Sequence, residues 1–206
     1  PIGDWNVSNV TNMNGMFLII DSGSSKFNQD ISNWNVSSVI DMGIMFWGAT
    51  SFNQDIGSWN VSSVTDMGYM FNRAEAFNQD IGAWDVSSVT SMGGMFDNSG
   101  FSTPNYDNIL NSWSQLDVQS NVTLGALLVN YCNGENARQS LIDNYNWIIT
   151  DAGLDCSTPI TNANFLLIVE DWISDPNSPQ FTDSNIYPYY GLISDWNVSQ
   201  VTNMAQ

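Results

Sequence analysis

The chain has 206 residues, 43% of them hydrophobic, which is enough apolar material for a folded core. Asp and Glu outnumber Lys and Arg by 21 to 3, so no basic surface is available for the phosphates of nucleic acids. The net charge of −18 repels anionic membranes, and no apolar run reaches the roughly 18 residues of a membrane span. We therefore expect neither nucleic acid binding nor direct membrane insertion.

One passage recurs through the first half of the chain. Trp34, Trp59 and Trp84 align at a spacing of 25 residues, and Trp5 lies 29 residues before Trp34 because the first copy has four extra residues. Apolar residues follow one another three or four apart and continue through Gly68, which argues against a single amphipathic helix. A repeat of this length predicts coils that stack on one another.

We predict a repeat solenoid, leucine-rich-repeat-like and right-handed, over residues 1–101, with four coils of about 25 residues. Each coil would consist of short parallel strands plus turns or short helices, and small α/β elements would cap the stack. Trp34, Trp59 and Trp84 would form an inward column. We place the strand at "FNQDIGSW" (52–59) and a bend or short helical turn at "MGYMF" (67–71).

Two polar columns share the same spacing: amides at Asn28, Asn53 and Asn78, and carboxylates at Asp30, Asp55 and Asp80. We interpret the amides as a buried structural ladder that bonds the backbone of neighbouring coils, in preference to a ligand site. Stacked carboxylates repel one another unless they are hydrated, hydrogen-bonded or bridged by cations. A solvated acidic face is the favoured interpretation of that column, and calcium binding is the alternative.

The repeated sequence motif resembles that of a known family. Residues 64–71, "VTDMGYMF", fit the recurring pattern V-T-x-I-G-x-x-A-F with one position fewer and with methionine in place of isoleucine and alanine. The pattern is similar to BspA-like leucine-rich-repeat surface proteins, in the DUF285 branch that also occurs in mycoplasma lipoproteins and bacterial surface proteins. The resemblance covers residues 2–101, and it implies a leucine-rich-repeat-like solenoid at the cell surface that serves adhesion or binding. It implies no catalytic residue.

The pattern changes after Phe101. Apolar residues at helical spacing in "STPNYDNILNSWSQL" and "NARQSLIDNYNW" predict two short helices. The last coil of a stack needs cover for its apolar face, so we predict that residues 102–158 form a C-terminal cap. Arg138, in the second helix, is interpreted as half of an ion pair on the helix surface.

Cys132 and Cys156 are the only cysteines, and both fall in the predicted cap. We predict a disulfide between them, which suits an oxidising exterior, with a reduced pair as the alternative. An extracellular or cell-surface location also fits the acidic composition.

The sequence motif at the start of the chain recurs near its end. Residues 193–204, "ISDWNVSQVTNM", match residues 2–13, "IGDWNVSNVTNM", at ten of twelve positions and an offset of 191. We predict that residues 159–206 comprise the N-terminal capping helix and first coil of a further tandem module. The alternative is a chance duplication within one domain.

Histidine is absent from the sequence, which removes Ser-His and Cys-His catalysis and histidine metal sites. A carboxylate-based glycoside hydrolase is a remote alternative, because acid and base roles need separated pKa values whereas aligned repeats give equal surroundings. We therefore expect no enzyme and no cofactor.

The expected function is a non-catalytic surface module, part of a tandem array, that binds glycans or proteins. The alternative is a building block of an extracellular filament or stalk that contacts neighbouring copies of itself. Trp47 and Tyr69 fall outside the inward columns, and they would favour a contact surface if they cluster.

Overall fold

The computed structural model describes residues 2–20 and 26–156. The chain divides into two compact units, residues 1–154 and 155–206, and only Asp155 and Cys156 of the second unit are among the described residues. The predicted capping helix and first coil at 159–206 therefore lie outside the described residues. The elements after a short 3-10 turn at Ile2–Asp4 are α1 (Thr103–Trp113), β1 (Thr123–Tyr131), α2 (Glu135–Tyr145) and β2 (Ile148–Leu154).

The residues before α1 form four copies rich in turns. We number them from the isoleucine that stands three residues before each repeated tryptophan: copy 1 is 2–30, copy 2 is 31–55, copy 3 is 56–80 and copy 4 is 81–101. Neighbouring copies run parallel, since isolated bridges join Asn12 to Asp41, Asp41 to Asp66 and Asp66 to Ser91. Assignment of this arrangement to the leucine-rich-repeat-like solenoid class, and its handedness, stays a prediction.

The copies are joined through what we call the ladder segments, residues 13–19, 42–48, 67–73 and 92–98. In copy 3 the donors to carbonyls of copy 4 are the N–H groups of Met67, Tyr69, Phe71 and Arg73, at 2.8–2.9 Å. The predicted strand at 52–59 is wrong, and the bonds run through the segment predicted as a bend. At 52–59 the Asp55 carboxylate accepts the N–H of Gly57 at 3.0 Å, which turns the chain and prevents an extended strand.

These bonds all point the same way. Copy 2 illustrates the pattern: Ile44 donates its N–H to Gly68 of copy 3 at 2.8 Å, while the carbonyl of Gly43 accepts from Gly15 of copy 1 at 3.0 Å. The intervening N–H groups bond within their own copy, as Met45 does to Met42 at 3.2 Å. Each ladder segment thus presents N–H groups to the following copy and carbonyl groups to the preceding one.

Aromatic side chains fill the interior. Phe71 stacks on Phe77 within copy 3, with ring centroids 3.8 Å apart, and continues to Phe46 at 5.6 Å and Phe96 at 5.9 Å in the neighbouring copies. All four rings are fully buried. Burial of this apolar surface stabilises adjacent copies only when they stack, because each copy alone would leave one side of its rings in water.

The three repeated tryptophans are buried and also link the copies. Their indole N–H groups donate to isoleucine carbonyls of the preceding copy: Trp34 to Ile2 at 3.0 Å, Trp59 to Ile31 at 3.2 Å and Trp84 to Ile56 at 3.1 Å. Trp5 of copy 1 differs from them. It stacks on Trp34 with ring centroids 6.3 Å apart and remains 54% exposed.

The predicted helices α1 and α2 are confirmed, and two strands whose positions the sequence did not predict accompany them. β1 continues the ladder beyond copy 4, because Phe96 and Asn98 donate their N–H groups to Gly125 at 2.8 Å and Leu127 at 3.2 Å. β2 pairs with β1 in parallel. None of the helices in the described part of the chain is both long enough and apolar enough to cross a bilayer.

A disulfide joins Cys132 to Cys156, as predicted. Beside it, the buried Asp107 carboxylate of α1 accepts the N–H groups of Cys132, Asn133 and Gly134 at 2.8–2.9 Å. Asp107 therefore holds the turn that leads into α2, where these N–H groups would otherwise lack partners.

We expect Trp59→Phe to lower the free energy of unfolding by about 2 kcal/mol, because it removes the indole bond to Ile31 and leaves buried space. Trp5→Phe is the matched control and should change it by less than about 0.5 kcal/mol, since Trp5 is exposed. Urea unfolding of both variants measures the difference. Equal losses would contradict the inter-copy role of the indole.

Asp107→Ala should destabilise the fold by roughly 3 kcal/mol, because three N–H groups lose their acceptor. Asp117→Ala, at an exposed carboxylate with no hydrogen bond among the described residues, is the control. Thermal unfolding followed by circular dichroism tests the pair. Similar midpoints for the two variants would show that Asp107 does not hold the turn.

Candidate functional site

The predicted amide column forms a chain of hydrogen bonds between copies. The side-chain oxygen of Asn28 accepts the N–H of Asn53 at 2.9 Å, and that of Asn53 accepts the N–H of Asn78 at 2.9 Å. The side-chain amide groups of Gln54 and Gln79 donate to the side-chain oxygens of Asn28 and Asn53, respectively, in the preceding copy. The expectation of burial is wrong, because Asn28 and Asn78 are exposed and Asn53 is partly exposed. The side-chain oxygens of Asn28 and Asn53 are occupied by the next copy, and that of Asn78 by Ser102 and Asn105 at the start of α1.

The predicted carboxylate column is also engaged locally. Asp30 accepts the N–H and hydroxyl of Ser32 at 2.9 and 2.7 Å, and Asp80 accepts the N–H of Gly82 at 2.9 Å. Calcium takes six to eight oxygen ligands. Within residues 2–20 and 26–156, no three His, Cys, Asp or Glu side chains are grouped in a way that could hold a metal ion. The arrangement therefore lends no support to calcium, and the solvated acidic face remains our interpretation.

Serine neighbours lower the pKa of two aspartates. The hydroxyl and then the backbone N–H of Ser32 stabilise the ionised Asp30, and Ser87 acts in the same way on Asp85. Asp85 occupies the position that holds asparagine in copies 1 to 3, where Asn60, for example, accepts the N–H of Ser62 at 3.2 Å. The pKa values of Asp30 and Asp85 are therefore both lowered.

The lowered pKa of Asp85 leads to a prediction about how the stability of the fold depends on pH. A carboxylate whose pKa is lower in the folded state stabilises the fold above its unfolded-state pKa, and the stabilisation is lost as pH falls through the folded-state pKa. Carbon-13 NMR should therefore place the Asp85 midpoint below 3.8. Asp85→Asn should leave stability at neutral pH unchanged and remove this part of the acid sensitivity. A midpoint above 3.8 would contradict the role of Ser87.

The ion pair expected of Arg138 is confirmed, but it lies in the cap interior and not on the helix surface. Its guanidinium contacts Asp151 of β2 at 2.7 Å, and the Asp151 side chain is only 3% exposed. Tyr106 donates its hydroxyl to the same carboxylate at 3.0 Å. Burial, and then the charge of Asp151, raises the pKa of Tyr106. The hydroxyl stays protonated, so the cluster joins α1, α2 and β2 as a structural element.

A second group of side chains lies outward on the ladder segments of copies 2 and 3. This aromatic face comprises Ile44, Trp47, Tyr69 and Arg73. The guanidinium of Arg73 lies over the Trp47 ring, 5.3 Å from its centroid, and Tyr69 is 51% exposed. Trp47 and Tyr69 belong to ladder segments that are bonded to each other, since Ile44 donates to Gly68. An apolar group in such an exposed position is a candidate contact surface.

The backbone of this face is strained. Ile44 and Tyr69 have φ angles of 48° and 55°, in the left-handed region that costs a β-branched or bulky residue on the order of 1 kcal/mol. The equivalent residues of copies 1 and 4 are Gly15 and Gly94, at φ 65° and 62°, where no penalty arises. The Tyr69 ring lies directly against Gly94, and any side chain there would collide with it. Two copies therefore carry large side chains where glycine would fit without strain.

The positions of this face are among those at which the copies differ. Inward positions repeat, so that Met45 and Phe46 of copy 2 correspond to methionine and phenylalanine in every copy. The adjacent, partly exposed position does not repeat: Trp47 corresponds to leucine, asparagine and aspartate in the other three copies, and the asparagine, Asn72, is only 7% exposed. The core fixes the inward residues, whereas the outward positions are free to carry a specific surface.

Two replacements of Tyr69 distinguish the effect of backbone strain on stability from the effect of losing the contacts of the ring. We expect Tyr69→Gly to be more stable than Tyr69→Ala by about 1 kcal/mol, because both lose the ring but only glycine relieves the left-handed strain. Urea unfolding of the two variants provides the comparison. If the alanine variant is equally stable or more stable, the backbone at Tyr69 is not strained.

Comparison with protein families matches residues 1–120 to the family described as Mycoplasma protein of unknown function, DUF285. No curated protein and no solved structure matches the chain. The match covers the four copies and α1, and it extends over the whole aromatic face.

Proposed function

The chain belongs to the DUF285 family, and from this premise we propose that it is a non-catalytic extracellular surface module, in which a leucine-rich-repeat-like solenoid of BspA type presents the aromatic face for binding. The ligands would be surface glycans or proteins. The observation that carries the proposal is the presence of two strained residues, the partly buried Ile44 and the exposed Tyr69, where other copies have glycine. Large side chains that add strain without core packing are expected where contact with a partner is needed.

The face has the chemistry of a contact surface. Tyr69 offers a half-exposed ring with a polar hydroxyl, and aromatic residues of this kind dominate the energetics of recognition surfaces. Arg73 adds one of only three basic side chains in a chain with a net charge of −18. Its position over Trp47 fixes a positive charge beside the rings, so an acidic or polyhydroxylated partner fits this surface.

A catalytic role receives no comparable support. A carboxylate pair that acts as acid and base needs pKa values moved in opposite directions. The shifts of Asp30 and Asp85 are both downward, and both have the same cause. The glycoside hydrolase alternative therefore has no candidate pair among these two, and we retain the binding role as the proposal. An extracellular location accords with the disulfide.

Arrays of glycans and of extracellular matrix proteins, probed with the full chain, would test the binding role. We expect a defined subset of ligands, and we expect Tyr69→Gly to weaken their binding about tenfold or more, as loss of an aromatic anchor does. Leu128→Gly is the matched control, because Leu128 is also apolar, 70% exposed and at positive φ, but lies on β1 outside the aromatic face. Equal binding by both variants, or no binding by the chain, would overturn the proposal.

A further inference from the structure

Arg73 carries a guanidinium that has no anionic partner in the fold. Its side chain is exposed, and within residues 2–20 and 26–156 it forms no salt bridge and donates no hydrogen bond. The guanidinium lies over the Trp47 ring, 5.3 Å from the centroid. Arg138 differs, because its guanidinium contacts Asp151 at 2.7 Å. The N–H donors of the Arg73 guanidinium are therefore available to a ligand.

The backbone at Arg73 is also held in an unfavourable conformation. Its φ angle is 58°, in the left-handed region that arginine rarely adopts. The neighbouring copies have Gly48 and Asn98 at this place, at φ 71° and 57°, and both residue types tolerate the region better. Arg73 thus adds strain without forming an ion pair in the described part of the chain. Such a residue is expected where a positive charge serves a ligand.

Tyr69 supplies an apolar surface in the same ladder segment as Arg73. One side of its ring lies against Gly94, and 51% of the residue is exposed. A pyranose sugar has an apolar C–H face that can pack on an aromatic ring, while its polar groups lie at the rim. The segment therefore combines an aromatic platform with a cation held over Trp47, and a carboxylated sugar matches both.

The backbone of the aromatic face is fully hydrogen-bonded. Both the N–H and the carbonyl of Ile44, Trp47 and Tyr69 have partners. The N–H of Tyr69, for example, donates to Gly93 at 2.8 Å, and its carbonyl accepts from Asn72 at 3.1 Å. A peptide that binds by strand addition needs unpaired backbone groups. The face therefore meets a ligand through side chains, which favours a glycan over an extended peptide.

The net charge limits the class of glycan. At −18, the chain repels densely charged polyanions such as sulfated glycans. A sugar with one carboxylate experiences less of this repulsion, because physiological salt screens the interaction between well-separated charges. One carboxylate can also pair with one guanidinium through two parallel hydrogen bonds. The charge balance therefore favours an isolated carboxylate over a polyanion.

We propose that the aromatic face binds a carboxylated sugar, with the Tyr69 ring against the apolar face of the sugar and the Arg73 guanidinium paired with its carboxylate. This inference rests on the binding role proposed above and specifies the class of ligand. Arg73 selects acidic over neutral sugars, whereas Tyr69 contributes affinity for both. Trp47 positions the guanidinium.

Oligosaccharides that contain glucuronate, galacturonate or sialate, each paired with its carboxyl-reduced form, provide the test with the full chain. Reduction replaces the carboxylate by a hydroxymethyl group and keeps the sugar ring. Isothermal titration calorimetry should show at least one acidic sugar binding about tenfold or more tightly than its reduced form. Arg73→Asn should lower this ratio to about one. Tyr69→Gly should weaken both forms to a similar extent.

Lys26→Asn is the matched control, because it makes the same change in net charge at an exposed residue outside the aromatic face, and it should keep the ratio. Arg73→Asn should fold, since Asn98 occupies the same place in copy 4, and urea unfolding checks this. Arg73→Lys keeps the charge but loses the planar pair of donors, so it should lower the ratio without abolishing it.

Three results would overturn the inference: no acidic sugar binds more tightly than its reduced form, Arg73→Asn keeps the preference, or Lys26→Asn loses it as well. A sulfated glycan that binds more tightly than every carboxylated sugar would also overturn it. The binding role itself fails under a different result, in which the chain binds no ligand or Tyr69→Gly binds as well as Leu128→Gly. Ligands that depend on Tyr69 but show no preference for a carboxylate would contradict this inference alone.

Discussion

A one-way ladder of backbone hydrogen bonds is the constraint from which the other features follow. Each ladder segment turns alternate N–H groups toward the next copy and satisfies the remaining ones internally, as Met45 does with Met42. This geometry requires left-handed residues at fixed places, such as Gly48 and Arg73 at φ 71° and 58°. It also gives the stack two different ends. β1 accepts the last N–H groups through Gly125 and Leu127, whereas the ladder carbonyls of copy 1, at residues 12, 14, 16 and 18, accept no hydrogen bond among the described residues.

The same ladder explains why core and surface could evolve separately along one short segment. Phe46 and Phe71 point inward and stack at 5.6 Å, so their identity is fixed by the neighbouring rings. Trp47 and Tyr69 lie beside them in sequence but outward, where the backbone is held by the ladder whatever side chain is present. A rigid backbone under variable side chains is a suitable platform for binding, because little conformational entropy is lost on contact.

The sequence predicted features that repeat, because repetition exposes which residues face inward. The spacing of Trp34, Trp59 and Trp84 indicated buried positions, and all three are buried. It did not locate the inter-copy bonds, since these use turn backbone with positive φ instead of the alternating pattern by which strands are recognised. β1 and β2 were missed for a related reason: the apolar run around Leu127 and Leu128 has no period of two and contains a register shift. The aromatic face was indicated only by its departure from the inward columns. No sequence signal showed that Arg73 would lie over Trp47.

Hydrogen exchange measured residue by residue tests the ladder most directly. The account predicts slow exchange for the N–H groups of Met67, Tyr69, Phe71 and Arg73, which bond to copy 4. It predicts fast exchange for Gln54 and Ile56, whose N–H groups donate no hydrogen bond within the described residues. Protection of Gln54 and Ile56, together with fast exchange at Tyr69 and Arg73, would place the inter-copy bonds elsewhere and contradict the account.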